Sequence, residues 1–122
     1  MDIKSKYQEQ WSDIFISKGN QGLLSIAPRS GKTRCALQIA TKTNCKHILV
    51  VYPDNKIKNS WLKDVKDTDY QANITYTTYL SLFKHINTYD YIFFDEIHQT
   101  SEAQREEIVK LLKINSRWAG LS

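Results

Sequence analysis

The sequence alternates between short apolar runs and apolar stripes at helical spacing, and this alternation limits the possible folds more than any other feature. The apolar runs predict strands at residues 22–26, 47–52, 73–76, 91–94 and 117–121. The stripes predict helices around residues 6–17, 32–42, 57–65, 79–86 and 101–114. Strands that are apolar throughout and alternate with helices are typical of parallel sheets buried on both faces. We therefore expect an α/β three-layer sandwich, with helices on both faces of a parallel sheet of about five strands.

The composition excludes several classes of protein. A chain of 122 residues that is 41% hydrophobic and 25% charged fits one globular domain, not a disordered tail or a disulfide scaffold. The longest apolar run, residues 48–51, is too short to cross a bilayer, and no apolar segment follows the first lysines as a secretion signal requires. We expect a cytoplasmic protein (host-cell cytoplasm if viral) with no membrane partner, in which Cys35 and Cys45 are reduced thiols.

Positive charge is concentrated in the first half of the chain. Residues 1–60 contain 10 basic and 4 acidic groups, a balance of +6, whereas residues 61–122 contain 7 and 9, a balance of −2. A basic half suits a polyanionic partner such as a nucleotide or a nucleic acid. The net charge of +4 alone is equally consistent with an ordinary solvated surface.

The segment between the first predicted strand and the next helix resembles a phosphate-binding loop. It reads Ala-Pro-Arg-Ser-Gly-Lys-Thr over residues 27–33. A tight turn into a helix points backbone N–H groups at one spot, where the helix dipole favours an anion. Gly31 would let the backbone approach the phosphates, Lys32 would reach the β- and γ-phosphates, and the Thr33 hydroxyl would bind Mg²⁺. The pattern is incomplete, because Ile26 stands where a glycine is usual.

Two acidic residues follow directly after the most apolar strand. Residues 91–94 read Tyr-Ile-Phe-Phe, and Asp95 and Glu96 come next. Carboxylates at the end of a buried strand are costly unless a cation needs them. We expect Asp95 to hold Mg²⁺, directly or through water, and Glu96 to act as general base on the attacking water. With Lys32 they form the expected catalytic set, and the alternative is a strand that ends in a solvated acidic turn.

Asp-Glu-Ile-His at residues 95–98 resembles the Asp-Glu-x-His box of superfamily 2 DEAD/DEAH-box-type helicases and translocases, of phage or restriction type. Six segments resemble motifs of this family, in the family's order and over almost the whole chain. They lie at residues 7–8, 27–33, 50–61, 74–82, 95–98 and 118–122. Ser60-Trp61 replaces the usual Gln-Trp of the third segment. The resemblance implies a RecA-like P-loop NTPase fold, in which the last predicted strand lies between the strand before the loop and the strand of residues 91–94.

The resemblance also implies roles in nucleotide binding and coupling. Gln8 would hydrogen-bond adenine, with a polar residue on an amphipathic helix as an equal alternative. Arg29 would contact a phosphate or face solvent, and Ser30 would belong to the phosphate-binding loop. His98 would couple the ATP site to motif III, which includes Ser122, and to a second domain.

Four positions are expected near a nucleic-acid backbone. By the resemblance they are Pro53, Lys56, Thr77 and Thr78. Lys and Thr side chains are donors to phosphate, and such contacts hold a nucleic acid without reading its sequence. For Lys56 a solvated helix face is at least as good an explanation. Trp61 is expected in the core rather than as a base-stacking platform, because it lies on a helical apolar stripe.

The resemblance implies the ATP-binding motor domain of a nucleic-acid helicase or translocase, with ATP and Mg²⁺ as cofactors and DNA favoured over RNA as partner. In this family ATP lies between two RecA-like domains, and the second supplies arginine fingers. Residues 1–122 end inside motif III. We therefore expect a single truncated N-terminal domain without its second RecA-like domain. Alone it would bind ATP–Mg²⁺ weakly and hydrolyse little of it, being an ATP hydrolase only within the full motor.

Three alternatives stay open on the sequence. The motor component of a restriction or remodelling enzyme has the same motifs. Another P-loop enzyme, such as a packaging ATPase or a kinase, explains the loop and the two carboxylates but not residues 78–82 or 120–122. The third is a non-catalytic module that binds nucleotide or nucleic acid and regulates a partner.

Overall fold

Strands and helices alternate along the chain as the apolar pattern predicts. The computed structural model describes Gly19, residues 21–24 and residues 32–121. In chain order the elements are β1 (Gln21–Leu24), α1 (Lys32–Lys42), β2 (His47–Tyr52), α2 (Asn55–Thr68), β3 (Asn73–Thr78), a first 3₁₀ turn (Leu82–His85), β4 (Tyr91–Asp95), a second 3₁₀ turn (Ile97–Gln99), α3 (Glu102–Leu112) and β5 (Trp118–Leu121). The predicted helix over residues 6–17 lies outside the described residues.

The strands form one sheet in the order β1-β5-β4-β2-β3, and every neighbouring pair is parallel. The parallel α/β class expected from the sequence is therefore confirmed. The placement of β5 between β1 and β4, which the resemblance implied, is confirmed as well. Parallel strands require crossover connections, and along the chain α1 lies between β1 and β2 and α2 lies between β2 and β3.

Alternate residues of β4 belong to two separate cores. Tyr91 and Phe93 lie in the first core, with buried residues of α1, α2, β2 and β5, whereas Ile92 and Phe94 lie in the second. The second core is closed by α3 and the segment around the first 3₁₀ turn, through the side chains Tyr79, Leu82, Ile108 and Leu111. All four apolar residues of β4 are 0% exposed, and each burial contributes about 2 kcal/mol. Thus α1 and α2 cover one face of the sheet, and α3 with the segment around the first 3₁₀ turn covers the other.

The helix ends are fixed by side chains as well as by packing. Asp54 caps α2, because its Oδ1 accepts hydrogen bonds from the N–H groups of Lys56 at 2.9 Å and Ile57 at 3.3 Å. The predicted capping box at Ser101 is confirmed. Its hydroxyl accepts from the Gln104 N–H, and the Gln104 side chain accepts in return. None of the described helices is long and apolar enough to cross a membrane.

The predicted helix over residues 79–86 is wrong, because only the 3₁₀ turn Leu82–His85 forms there. Tyr79, which precedes the turn, and Leu82, which begins it, both belong to the second core and are 3% and 0% exposed. Phe83, assigned to the same stripe, turns outward and is 59% exposed. β3 extends to Thr78, two residues beyond the expected end, because it pairs with β2 along its whole length.

Candidate nucleotide-binding site

The carboxyl ends of the strands form one level row along an edge of the sheet. Leu121 of β5 pairs with both Leu24 of β1 and Asp95 of β4. Tyr52 of β2 pairs with Thr78 of β3, and it lies one step past the last β2–β4 pair, level with Asp95. Adjacent strands lie about 4.8 Å apart, so the ends of β1 and β4 are about 10 Å apart across β5. Ligands of parallel sheets bind at this edge.

The helix α1 contributes its N-terminus to the predicted site. It begins at Lys32 and has no acidic residue in its first turn, so nothing there opposes an anion. Thr33 is only 6% exposed, which places its hydroxyl in the interior rather than in bulk solvent. The predicted nucleotide-binding residues Gln8, Arg29, Ser30 and Gly31 lie outside the described residues.

Asp95 is the last residue of β4 and is 1% exposed. By the alternation of the strand its side chain lies on the side of Tyr91 and Phe93, towards α1 and α2. The indole N–H of Trp61 on α2 donates to Asp95 Oδ2 at 2.8 Å. The phenol of Tyr79 donates to the main-chain oxygen of Asp95, also at 2.8 Å. Two other parts of the chain therefore hold the residue expected to bind the metal.

The Tyr79 phenol keeps its proton. Burial raises its pKa well above the ordinary value for tyrosine, and the negative charges of Asp95 and Glu96 raise it further. The hydroxyl is therefore a permanent donor to Asp95 over the whole working pH range.

Glu96 follows in a backbone conformation that non-glycine residues seldom adopt, with φ 51° and ψ 45°. Such left-handed geometry costs of order 1 kcal/mol and is found at functional sites. It directs the chain into the second 3₁₀ turn, where Gln99 N–H donates to the Glu96 main-chain oxygen at 2.9 Å. Glu96 Oε2 lies 3.1 Å from His98 Nε2, and the two side chains are 19% and 57% exposed. The structure thus brings Asp95, Glu96 and His98 together, with Glu96 between the buried and the exposed residue.

The donor chemistry at this edge suits Mg²⁺, which takes one or two protein oxygens together with phosphate oxygens and water. The Thr33 hydroxyl and the Asp95 carboxylate are oxygens of this kind. Both belong to nearly buried residues, at the start of α1 and at the end of β4. The residues present therefore fit the cation that the sequence predicts.

The residues predicted to lie near a nucleic acid are found after the end of β2 and at the end of β3, at the same edge. Pro53 comes directly after β2, and Lys56 is exposed in the first turn of α2. Thr78 ends β3, and its Oγ1 accepts a hydrogen bond from Ser81 N–H at 3.3 Å. Thr77 is 4% exposed, and its hydroxyl donates to the main-chain oxygen of Thr78 at 3.1 Å. Lys56 is thus the most accessible phosphate donor of the four, whereas Ser122 lies outside the described residues.

Two residues at the site were missed by the sequence reasoning. Trp61 is confirmed as core, but the hydrogen bond from its indole to Asp95 was not foreseen. Tyr79 was assigned only to a helical stripe. Their residue types could have indicated such a role, because a buried Trp N–H or Tyr O–H usually finds a hydrogen-bond partner.

The sequence profile of one protein family matches the chain. The family is described as "Type III restriction enzyme, res subunit", and the match extends over residues 3–74, more than half of the chain. The chain belongs to this family. It is a restriction-type motor domain of the superfamily 2 helicases.

The fold of this res-subunit domain is similar to part of a larger restriction enzyme. The solved structure is a nuclease-deletion mutant of the Type ISP restriction-modification enzyme LlaGI in complex with a DNA substrate mimic. The match has a TM-score of 0.70 and 13% identity, and it covers 100% of this chain and 17% of that one. At that identity the likeness shows the fold alone, and the chain spans about a sixth of its relative's length. No curated protein sequence matches the chain significantly.

Proposed function

We propose that this domain is the ATP-binding half of a DNA motor, which couples ATP hydrolysis to movement along DNA or to its unwinding when joined to a second RecA-like domain. The observation that supports it best is the acidic pair at the carboxyl edge. Asp95 is buried at the end of β4 and Glu96 follows in a strained conformation, at the same edge as the end of β1. A solvated acidic turn, the alternative, does not bury its first carboxylate.

In this proposal the phosphates of ATP bind at the start of α1. Lys32 would pair with the β- and γ-phosphates, and Arg29 and the backbone N–H groups of the loop would bind them as well. Thr33 and Asp95 would hold Mg²⁺, which supplies charge neutralisation on the phosphates when bound. Gln8 would donate to adenine. The whole arrangement stabilises negative charge, which is the main requirement of phosphoryl transfer.

Glu96 is the proposed general base. Its side chain is 19% exposed, so a water molecule can reach it, and Glu96 directly follows the proposed metal ligand Asp95 in the chain. Its Oε2 is 3.1 Å from His98 Nε2, and His98 would relay the state of the site to motif III, Ser122 and the second domain. A positioned base of this kind typically contributes about 10²–10⁴ in rate.

The proposed nucleic-acid contacts lie on the segment that follows β2 and at the end of β3. Pro53, Lys56, Thr77 and Thr78 would face the sugar-phosphate backbone, without reading sequence. The excess of basic groups in residues 1–60 supports a polyanionic partner. The DNA mimic bound by the structurally similar LlaGI supports DNA as that partner.

The test uses the domain joined to its second RecA-like domain, with phosphate release measured in the presence and absence of DNA. The account predicts DNA-stimulated hydrolysis that Glu96→Gln lowers by about 100-fold or more, with little change in nucleotide affinity. Glu106→Gln, an exposed change on α3, is the matched control and should leave the rate unchanged. Nucleotide binding without any turnover would contradict the motor assignment and favour a non-catalytic regulatory module.

A further inference from the structure

Two aromatic residues hold Asp95 from two different segments of the chain. Trp61 is 0% exposed in α2, and its ring packs on Phe93 of β4 with centroids 6.0 Å apart. An indole has a single donor, its N–H. In this structure that donor lies 2.8 Å from Asp95 Oδ2. The side chain that packs on the strand therefore also fixes the orientation of the carboxylate at its end.

Tyr79 fixes the main chain at the same point. It is 3% exposed, and its hydroxyl donates to the Asp95 carbonyl oxygen at 2.8 Å. Its own N–H donates to Tyr52 O at 3.1 Å, which ties the segment after β3 to the end of β2. Asp95 is thus tied to β2 and β3 through Tyr79 and to α2 through Trp61.

We propose that Trp61 and Tyr79 are positioning residues, which hold the Asp95 carboxylate in the orientation that the metal ion of a bound nucleotide requires. The inference rests on the proposed function. An aspartate χ2 torsion is broad and soft, so a carboxylate at a strand end does not keep one orientation without a partner. A donor 2.8 Å away supplies that restraint before the metal arrives, as the outer partners of metal ligands do in general.

The proposal has a structural consequence for nucleic-acid coupling. Trp61 lies on the helix whose first turn contains Lys56, and Tyr79 directly follows Thr77 and Thr78. Each segment predicted to contact nucleic acid is therefore one hydrogen bond from Asp95.

The test compares nucleotide affinity with and without metal in the 122-residue chain. A fluorescent ATP analogue is titrated in Mg²⁺ and again in EDTA. The dissociation constant in EDTA divided by that in Mg²⁺ gives the contribution of the metal to the affinity. Trp61→Phe, which removes the N–H but keeps an aromatic ring, should lower this ratio by about tenfold, as expected for a lost hydrogen bond to a charged group. Tyr79→Phe should lower it by a smaller factor, because it releases only the main chain.

Matched controls separate positioning from general damage. Trp118→Phe removes an indole that packs on Phe94 instead, and Tyr89→Phe removes a phenol that donates to His85 O at 3.0 Å. Both should leave the ratio unchanged. Benzothienylalanine at position 61 keeps the shape of the indole and replaces its N–H by sulfur, so it should lower the ratio even if Trp61→Phe fails to fold. A wild-type ratio in this folded variant would overturn the inference while leaving nucleotide binding intact. Absence of Mg²⁺-dependent binding by the wild-type chain would instead overturn the proposed function and the inference with it.

Discussion

Two aspartates stand at opposite ends of the same central strand, and they are held in opposite ways. Asp90 precedes β4 at an exposed corner, where its Oδ2 accepts the backbone N–H groups of Lys46 at 2.8 Å and His47 at 2.9 Å. Asp95 ends β4, is 1% exposed, and is held by the side chains of Trp61 and Tyr79. Backbone N–H groups at the start of the adjacent strand bind the carboxylate of Asp90. The carboxylate of Asp95 is bound by the Trp61 side chain, and its main-chain oxygen by the Tyr79 side chain.

The two aspartates differ in what their charge is needed for. Backbone N–H groups at the start of β2 need an acceptor, and the exposed Asp90 satisfies them at little desolvation cost. The charge of Asp95 is moved into the interior, and such burial costs several kcal/mol unless other groups offset it. The amino edge of the sheet is therefore a structural corner, whereas the carboxyl edge is the site that we propose for a cation.

The largest predicted effect separates the two aspartates by metal-dependent binding. Asp95→Ala should remove most of the enhancement of nucleotide affinity by Mg²⁺, about 100-fold or more, because the proposed partner of the metal, direct or through water, is lost. Asp90→Ala should leave that enhancement unchanged, since it lies at the other edge. Nucleotide titrations in Mg²⁺ and in EDTA measure the enhancement in both variants. An equal loss of enhancement in the two would contradict the different roles assigned to the two aspartates.

The next effect is on stability and should belong to Asp90. Asp90→Ala leaves two N–H groups without their acceptor and should lower the free energy of unfolding by about 1 kcal/mol, a modest value because the site is exposed. The backbone hydrogen bonds from His47 and then Lys46 lower the pKa of Asp90 below its ordinary 3.8. Its stabilisation is therefore fully present above that pH and is lost as the pH falls through the lower, folded-state pKa.

Urea unfolding of the wild-type chain and Asp90→Ala measures this dependence. The difference between them should be largest near neutral pH and should shrink at a pH well below 3.8. Asp90→Asn keeps an acceptor oxygen and should retain part of the stability. A difference that grows on acidification would contradict the assigned role of the charge.

The smallest effect compares two exposed lysines at the two edges. Lys56→Ala, at the carboxyl edge, should weaken binding of single-stranded DNA about threefold and reduce the slope of log K against log salt by about one. Lys46→Ala, beside Asp90 at the amino edge, removes the same charge and should have less effect. Fluorescence anisotropy over a salt series measures both. An equal loss of DNA affinity in the two variants would show that the total charge of the chain determines the affinity, and not the position of the lysine at the carboxyl edge.

The regular part of the fold could be predicted from the sequence because it depends on local apolar pattern. α1 and β2 occupy the expected residues, and the capping box at Ser101 lies where its spacing indicates. The segment after β3 could not be predicted in the same way. Spacings of three and four residues fit both an α-helix and a short 3₁₀ turn, and packing against α3 and β4 decides between them.

The candidate site likewise has a part that could be predicted from local sequence and a part that could not. The acidic pair and the threonine at the start of α1 could be recognised as local motifs. Each lies directly beside the strand or the loop that identifies it in the chain. The bonds from Trp61 and Tyr79 to Asp95 join residues 34 and 16 positions apart. Only the three-dimensional arrangement of β2, β3 and β4 brings these residues together. The sequence of α2 and of the segment after β3 therefore does not predict the hydrogen-bond partner of either side chain.

The central claim is that the carboxyl edge binds a nucleoside triphosphate through the start of α1. Isothermal titration of the chain with ATP and Mg²⁺ tests it most directly, with wild type compared with Lys32→Ala and with Lys42→Ala at the other end of the same helix. The account predicts saturable binding that Lys32→Ala weakens by about 100-fold while the melting temperature is kept, since a charge-assisted contact to phosphate is lost. Lys42→Ala should match the wild type. Unchanged affinity in the folded Lys32→Ala variant would contradict the account.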